Sequence, residues 1–275
     1  MLSQEEKAQI YRQAYVPEHL PEYVTAISGA EPHLVEDHLC FTRRNHLIFV
    51  GYPLCHHRAD TPGAYRFACE RFRPATVAIL APQIFWLPEA DCRKQPSDSY
   101  YRLALPLHSL NPEAAYMVRR AAKELAVGRG KFRREHQNLI KAFLKRPDLS
   151  PAQIHLFKQM PQYLKRSATA CLLEARKEGL LAAFTVVDTG SAESGFYLFN
   201  FRSDTINVPG ASDLLFHEMV KLALSAEKTA LNLGLGIHPG LRRFKEKWGG
   251  VPFLSYESAL VDRGPLDIGS LANKL

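Results

Sequence analysis

Pro209-Gly-Ala-Ser-Asp-Leu-Leu215, Leu231-Asn-Leu-Gly234 and Gly240-Leu-Arg-Arg-Phe-Lys-Glu-Lys-Trp-Gly-Gly250 carry the densest structural signal in this chain. The first closes a loop and opens a helix. From Ser212 or Asp213 to about Glu227, Leu214, Leu215, Met219, Leu222 and Ala223 recur at helical spacing and form an inward stripe. Ala230 to Leu235 is too short and apolar for anything but a buried strand, a short helix follows from Gly240 to Trp248, and a last strand runs from Phe253 to Val261. Working upstream, Thr169 to Arg176, Leu180 to Thr189 and Gly195 to Ser203 read as three antiparallel strands. Turns at Lys177-Glu178-Gly179 and Gly190 to Ser194 join them.

The first third of the chain can be laid on this unit. Pro62-Gly63-Ala64 matches Pro209-Gly210-Ala211 at an offset that also sets Leu47–Leu54 on Ser194–Phe201. Ala75–Ala81 matches the strand at Ala230 if the intervening helix is about two turns shorter. The element order carries this inference more than the three-residue identity does. Between the two units Asn111-Pro112-Glu113 is a helix start, and Ala114, Met117, Val118, Ala121 and Leu125 form its apolar stripe. Gly128 and Gly130 interrupt it. A second basic helix carries Leu139, Ile140, Phe143 and Leu144, and a third opens at Ser150-Pro151 and is expected to break at Pro161. The expected organisation is an N-terminal unit over 1–110, a basic helical connector over 111–167 and a C-terminal unit over 168–275 that carries the active cleft. The fold class is α+β, a mixed and mainly antiparallel sheet flanked by helices.

Composition narrows the function. With 46% hydrophobic and 23% charged residues the chain is globular rather than disordered. Its longest apolar runs fall well short of the roughly 18 to 20 residues a membrane span needs. The polar, acidic opening Ser3 to Lys7 lacks the pattern of a secretion signal, so a cytoplasmic location is expected. Five cysteines without any C-x-x-C point to reduced thiols, not to zinc or a disulfide framework, and no metal is expected. His56-His57 reads as a strand end, since adjacent strand residues face opposite ways. The net charge of +7 is concentrated. Residues 111–150 hold ten Lys and Arg against four Asp and Glu, including Arg119, Arg120, Arg133 and Arg134. Such a stripe is either a solvated helix face or a polyanion surface.

The order strand, strand, strand, helix, strand, helix, strand resembles the GNAT (acyl-CoA N-acyltransferase) fold. The usual pyrophosphate loop of that fold, Arg or Gln followed by Gly-x-Gly or Gly-x-Ala, is replaced here by Asp204 to Asp213. The quoted segments, with Phe244-Lys-Glu-Lys-Trp-Gly249 the most specific of them, resemble two tandem-GNAT families. These are the Fem-type transferases of peptidoglycan bridges and the catalytic domain of phosphatidylglycerol lysyltransferases. The resemblance implies an acyltransferase moving an aminoacyl group from aminoacyl-tRNA to an amine or hydroxyl acceptor, a lipid or cell-wall precursor among them, with no metal and no tightly bound cofactor. Its alternatives are an acyl-CoA-dependent N-acyltransferase and a non-catalytic ligand- or RNA-binding protein on the same fold. The tRNA backbone would lie on the basic connector, at Arg119, Arg120, Arg133 and Arg134.

Residue types suggest the site. On the helix after Gly240, Lys245 sits about 70° from the centre of the apolar trio Leu241, Phe244 and Trp248. Its stem either packs while the amine snorkels outward, or the amine enters the cleft to stabilise an oxyanion, the reading the family resemblance implies. Tyr256 is expected as proton donor or positioning hydroxyl, and Asn232 and Asn200 as cleft-lining amides unless they bond local backbone. Gly234, His238, Arg242 and Arg243 complete the expected substrate contacts, because a strand end leading into a helix start exposes N–H groups to an anion. Glu218 is expected to be solvated.

Overall fold

The structure, a computed structural model, describes residues 2–55, 60–87 and 92–263. Its first half runs β1 (Glu31–Val35), β2 (His38–Arg43), β3 (His46–Val50), α3 (Thr61–Phe72) and β4 (Thr76–Ala81). The second runs β8 (Ala170–Lys177), β9 (Leu180–Asp188), β10 (Ser194–Arg202), α7 (Ala211–Ser225) and β11 (Ala230–Leu235). In each, three strands pair antiparallel and the helix returns the chain to a strand parallel to the third. That parallel pair is possible only because the helix provides the crossover.

The strand that follows each half then crosses to the other. Strand β6 (Asp98–Ala104) pairs with β11, and the long β12 (Val251–Asp262) pairs with β4 through Glu257–Asp262 and with β6 through Val251–Tyr256. The result is one 12-stranded sheet in the order β1-β2-β3-β4-β12-β6-β11-β10-β9-β8-β7, with the short β5 (Cys92–Lys94) added to β12. The spans 1–110 and 168–275 thus share a sheet instead of standing as separate ones. Helices α1 (Gln4–Gln13) and α2 (Pro21–Ser28) also tie the N-terminus to the second half: the Ala192 N–H donates to Tyr11 O, and Ser191 Oγ to Ala14 O.

The connector contains α4 (Pro112–Ala122), β7 (Ala126–Gly130), α5 (Arg134–Phe143) and α6 (Pro151–Arg166). Asn111 caps α4, and Ser150 with Gln153 forms a capping box on α6, as their sequence signals indicate. Two details differ from expectation. The glycine break is a strand, β7, pairing with β8. A Cβ on Gly130 would lie 2.5 Å from Glu174 Cδ, so glycine is what lets the strands meet. Helix α6 passes through Pro161 to Arg166, because Met160 before the proline and Tyr163 beyond it are buried against the sheet and Tyr163 Oη donates to Asp188. Tertiary burial outweighs the lost backbone bond. The Pro-Gly-Ala match is also out of register: Pro62 and Gly63 lie inside α3, whereas Pro209 and Gly210 precede α7. The common element order survives; the tripeptide does not mark equivalent positions.

Candidate functional site

Strands β10 and β11 are hydrogen-bonded only where Ser194–Phe196 faces Ala230–Asn232. Beyond that they separate. The cause is local: the Gly234 N–H donates to Asn232 Oδ1 at 2.8 Å, Gly234 takes φ +74°, and the pairing of β11 with β6 slips between Asn232 and Leu235. The corresponding pair in the first half stays zipped, from His46 opposite Thr76 to Val50 opposite Leu80, and the Gly51 N–H continues the ladder to Leu80 O. Only the second half opens a cleft between its parallel strands.

That cleft has a volume of about 660 Å³. Tyr197, Phe199 and Asn200 of β10 form one side and Leu233, Gly234 and Leu235 of β11 the other. Phe143 at the end of α5, Arg146 just after it and Phe157 of α6 close it from the connector. Helix α8 (Pro239–Lys247) contributes Leu241, Phe244 and Lys245.

Lys245 is 1% exposed, yet it lines the cleft. Its Nζ donates to Gly234 O at 2.9 Å and Leu235 O at 2.5 Å and lies 5.3 Å from the centroid of the Tyr101 ring. The amine neither snorkels to solvent nor stands free. It is seated on two backbone carbonyls of β11, at the point where β10 and β11 part. Burial disfavours the ammonium and pushes its pKa down to about 7, against an opposing pull from the Asp98 carboxylate.

Asn200 also lines the cleft; its Nδ2 donates to Ser212 Oγ at 2.9 Å, and its buried Oδ1 has no partner among the described residues. Gly234 and His238 are part of the cleft wall. Four expectations are corrected. Asn232 is 2% exposed with both amide ends engaged, Nδ2 donating to Tyr15 O at 2.8 Å, so it bends the strand and leaves nothing for substrate. Tyr256 is partly buried and packs edge-on to Tyr100 of β6, ring centroids 5.6 Å apart, away from the cleft lining; burial pushes its hydroxyl up to about 12. Arg242 and Arg243 are exposed on the outer face of α8 and outside the lining. The helix-start N–H groups expected to hold an anion are already engaged: Ile237 N donates to Asp98 Oδ2 at 2.7 Å, Leu241 N to His238 Nδ1 at 3.2 Å and Gly236 N to Ser99 O at 3.2 Å.

Arg119, Arg120, Arg133 and Arg134 are exposed on the connector but outside the cleft, where the cations of the lining are Arg146, Arg202 and Lys245. Glu218 pairs with Lys221 at 3.0 Å, and Glu257 accepts the Ile84 N–H at 2.8 Å. His56 and His57 lie outside the described residues. Cys40, Cys55, Cys69 and Cys171 are free thiols. The group Glu135, His136 and Glu174 has metal-like spacing, but the Arg176 guanidinium bonds both carboxylates and already supplies the balancing positive charge.

Five of the lining residues that sequence reasoning missed are aromatic: Phe143, Phe157, Tyr197, Phe199 and Phe244. Phe143, Phe157 and Tyr197 read as ordinary core positions, and only the strand separation turns part of each toward a cavity. Tyr256→Phe keeps the ring against Tyr100, so a transfer rate within about twofold of the parent is expected, measured under saturating donor; a loss of tenfold or more would restore the hydroxyl to the chemistry.

No protein-family model and no curated protein matches this sequence. Solved structures do. The C-terminal domain of a putative lysylphosphatidylglycerol synthetase from Agrobacterium fabrum superimposes with a TM-score of 0.62 at 17% identity, covering 99% of this chain and 96% of that one. FemX gives 0.65 at 10% identity, with 94% and 96% covered. A tandem GNAT protein from the clavulanic acid biosynthesis pathway gives 0.54 at 14% identity, with 84% and 79% covered. Similarity at this identity speaks to architecture alone: the chain has an α+β fold of two GNAT-like units, as the tandem GNAT match and the two strand–helix halves show.

Proposed function

We propose that this protein is an acyltransferase that moves an aminoacyl group from aminoacyl-tRNA to an amine or hydroxyl acceptor in the cleft between β10 and β11. The observation that carries the reading is the opened parallel strand pair with a buried lysine seated at its floor. Attack by an acceptor amine on the ester carbonyl forms the new C–N bond. The C–O bond to the terminal ribose then breaks, and the proton lost by the amine ends on the departing ribose oxygen. Lys245, titrating near 7, is suited to accept and return that proton, and its charged form to stabilise the oxyanion between the two steps. The cleft supplies orientation and excludes water.

The choice of donor rests on the start of α7. Acyl-CoA transfer on a GNAT fold places a pyrophosphate at such a helix N-terminus. Here Asp213 in the first turn is 5% exposed and accepts Trp248 Nε1 at 2.9 Å and Lys247 Nζ at 2.6 Å, while Gly210 packs directly against the Met117 carbonyl of α4. The Asp213 carboxylate, balanced by Lys247, and the α4 contact at Gly210 occupy the first turn of α7, which supports a donor other than acyl-CoA. The basic connector supports a polyanionic donor. Acyl-CoA stays as the second reading because the tandem GNAT protein above is described with reference to AcCoA.

Binding of bulk charged tRNA and of acetyl-CoA across a salt series tests the donor. Affinity for tRNA that falls steeply with salt is expected, with Arg133→Glu/Arg134→Glu weakening it about tenfold and reducing the log–log salt slope by roughly 2. Tight acetyl-CoA binding that is insensitive to salt, with no tRNA binding, would overturn this choice. Release of labelled amino acid from tRNA onto phosphatidylglycerol vesicles, cell-wall precursors or small amines then sorts the acceptors.

A further inference from the structure

The turn that joins β11 to α8 is strained. Ile237 has φ +44°, a left-handed conformation that a β-branched side chain rarely adopts, and it is 54% exposed at the cleft edge, so its own packing does not impose the geometry. The His238 N–H donates to Gly236 O at 2.5 Å across Ile237, and a carboxylate from a distant part of the sequence holds the N–H of Ile237 itself. Asp98 begins β6, the strand delivered from the first half, and its Oδ2 accepts the Ile237 N–H at 2.7 Å while Oδ1 accepts the Ser99 N–H at 2.7 Å. A Cβ on Gly236 would lie 2.8 Å from Asp98 Oδ1, so the turn closes tightly around the carboxylate. On the other side of the same turn, Lys245 Nζ holds the carbonyls of Gly234 and Leu235. A short backbone segment is therefore clamped between a carboxylate on its N–H side and an amine on its C=O side.

We infer that Asp98 is a positioning residue of the cleft: by holding the strained turn at Ile237 it fixes the two carbonyls that seat Lys245, and it is the negative charge that balances that lysine. This rests on the acyl-transfer reading for its catalytic consequence, but not for its physical content. The other polar groups near Lys245 are Tyr101 on β6 and Arg242 and Glu246 on α8. The Tyr101 hydroxyl and Glu246 approach only to 3.5 Å of each other, and Asp98 is the charged group that opposes the effect of burial on the amine.

The test uses the full chain labelled with 13C at lysine Cε, which reports the ionisation of Lys245 without any substrate, assigned by its absence in Lys245→Met. In Asp98→Asn the turn keeps one acceptor but loses the charge. The Lys245 transition is expected to move to lower pH by roughly one unit or more. Ile237→Gly, which relaxes the turn without touching a charge, is expected to leave that transition within about 0.3 unit of the parent. In an activity assay the acid limb of kcat/KM should shift with Asp98→Asn by the same amount as the NMR transition, and Asp98→Glu should restore part of it. An unmoved Lys245 transition in folded Asp98→Asn overturns the inference whatever the activity does. A shifted transition in a protein that transfers nothing to any acceptor leaves the clamp standing and sinks the acyl-transfer reading instead.

Discussion

Lys245→Met is expected to lower kcat/KM for acyl transfer by about 10²–10³-fold, the usual loss when a positioned proton carrier or oxyanion donor is removed. The stem is already packed in the core, so methionine fills its volume and the change is mainly one of chemistry. Stability should respond in a way that a surface lysine could not imitate. With a folded pKa of about 7 and an ordinary unfolded value near 10.5, the unfolded chain binds more protons than the native one between those limits. Native stability therefore rises as pH climbs from about 7 to about 10.5, and at or below 7 the full penalty of burying the cation is present, of order several kcal/mol. Lys245→Met removes this dependence. At neutral pH the gain from losing a buried charge is offset by the loss of the two hydrogen bonds that Lys245 donates to the Gly234 and Leu235 carbonyls, at about 1–3 kcal/mol each. Melting temperatures across pH 6 to 10 check this: the parent minus the variant should rise with pH. A parallel pair of curves would mean that Lys245 titrates normally. Where transfer is measurable, the neutral amine acting as base predicts a kcat/KM that increases through pH 7.

Gly210→Ala is expected to destabilise the protein by roughly 3–5 kcal/mol, the largest effect of a single methyl anywhere near the cleft. Two costs add. Gly210 has φ +86°, where any side chain is strained, and an added Cβ would stand 2.4 Å from Met117 O, a backbone atom of α4 that cannot rotate away. Either α4 lifts from α7 or the first turn of α7 unwinds. Both disturb the cleft, since Ser212 in that turn holds the Asn200 amide and Asp213 anchors Trp248 and Lys247. A fall in melting temperature of about 8 °C is expected for a chain of this size. Gly179→Ala is the matched control: φ is also positive, at +82°, but the added carbon meets nothing within 4 Å, so only the conformational cost of about 1–2 kcal/mol remains. If the two variants melt together, the α4–α7 contact is not as tight as the geometry requires.

Much of the architecture was legible because it depends on short-range patterning. The hairpins β8–β9–β10, the stripe of α7 and the capped starts of α4 and α6 are each written within a dozen residues, and all appear where periodicity and capping place them. Where the reading failed, a partner from elsewhere in the chain decided. Pro161 is tolerated because of burial around Tyr163, and Gly128 with Gly130 makes a strand because β8 offers an edge. The N-terminal helices lock to the second half through Tyr11, Ala14 and Tyr15, contacts that no local pattern announces.

The site divides in the same way. Lys245, Asn200, Gly234 and His238 were recognisable as chemistry-bearing residues in the stretch from Asn200 to Trp248. Their function was not readable from residue type alone, as Asn232 and Tyr256 demonstrate, since both are the right type at packed positions outside the cleft lining. By itself, the sequence determined the α+β class, the repeated strand–helix order and the basic connector, because hydrophobic spacing and charge are properties of neighbours along the chain. The exchange of β6 and β12, the opening between β10 and β11, and the pairing of Asp98 with the Ile237 turn that seats Lys245 were decided by tertiary structure. Each joins residues that meet only when the two halves close into one sheet, and a buried amine or carboxylate acquires its role from the groups that replace water around it.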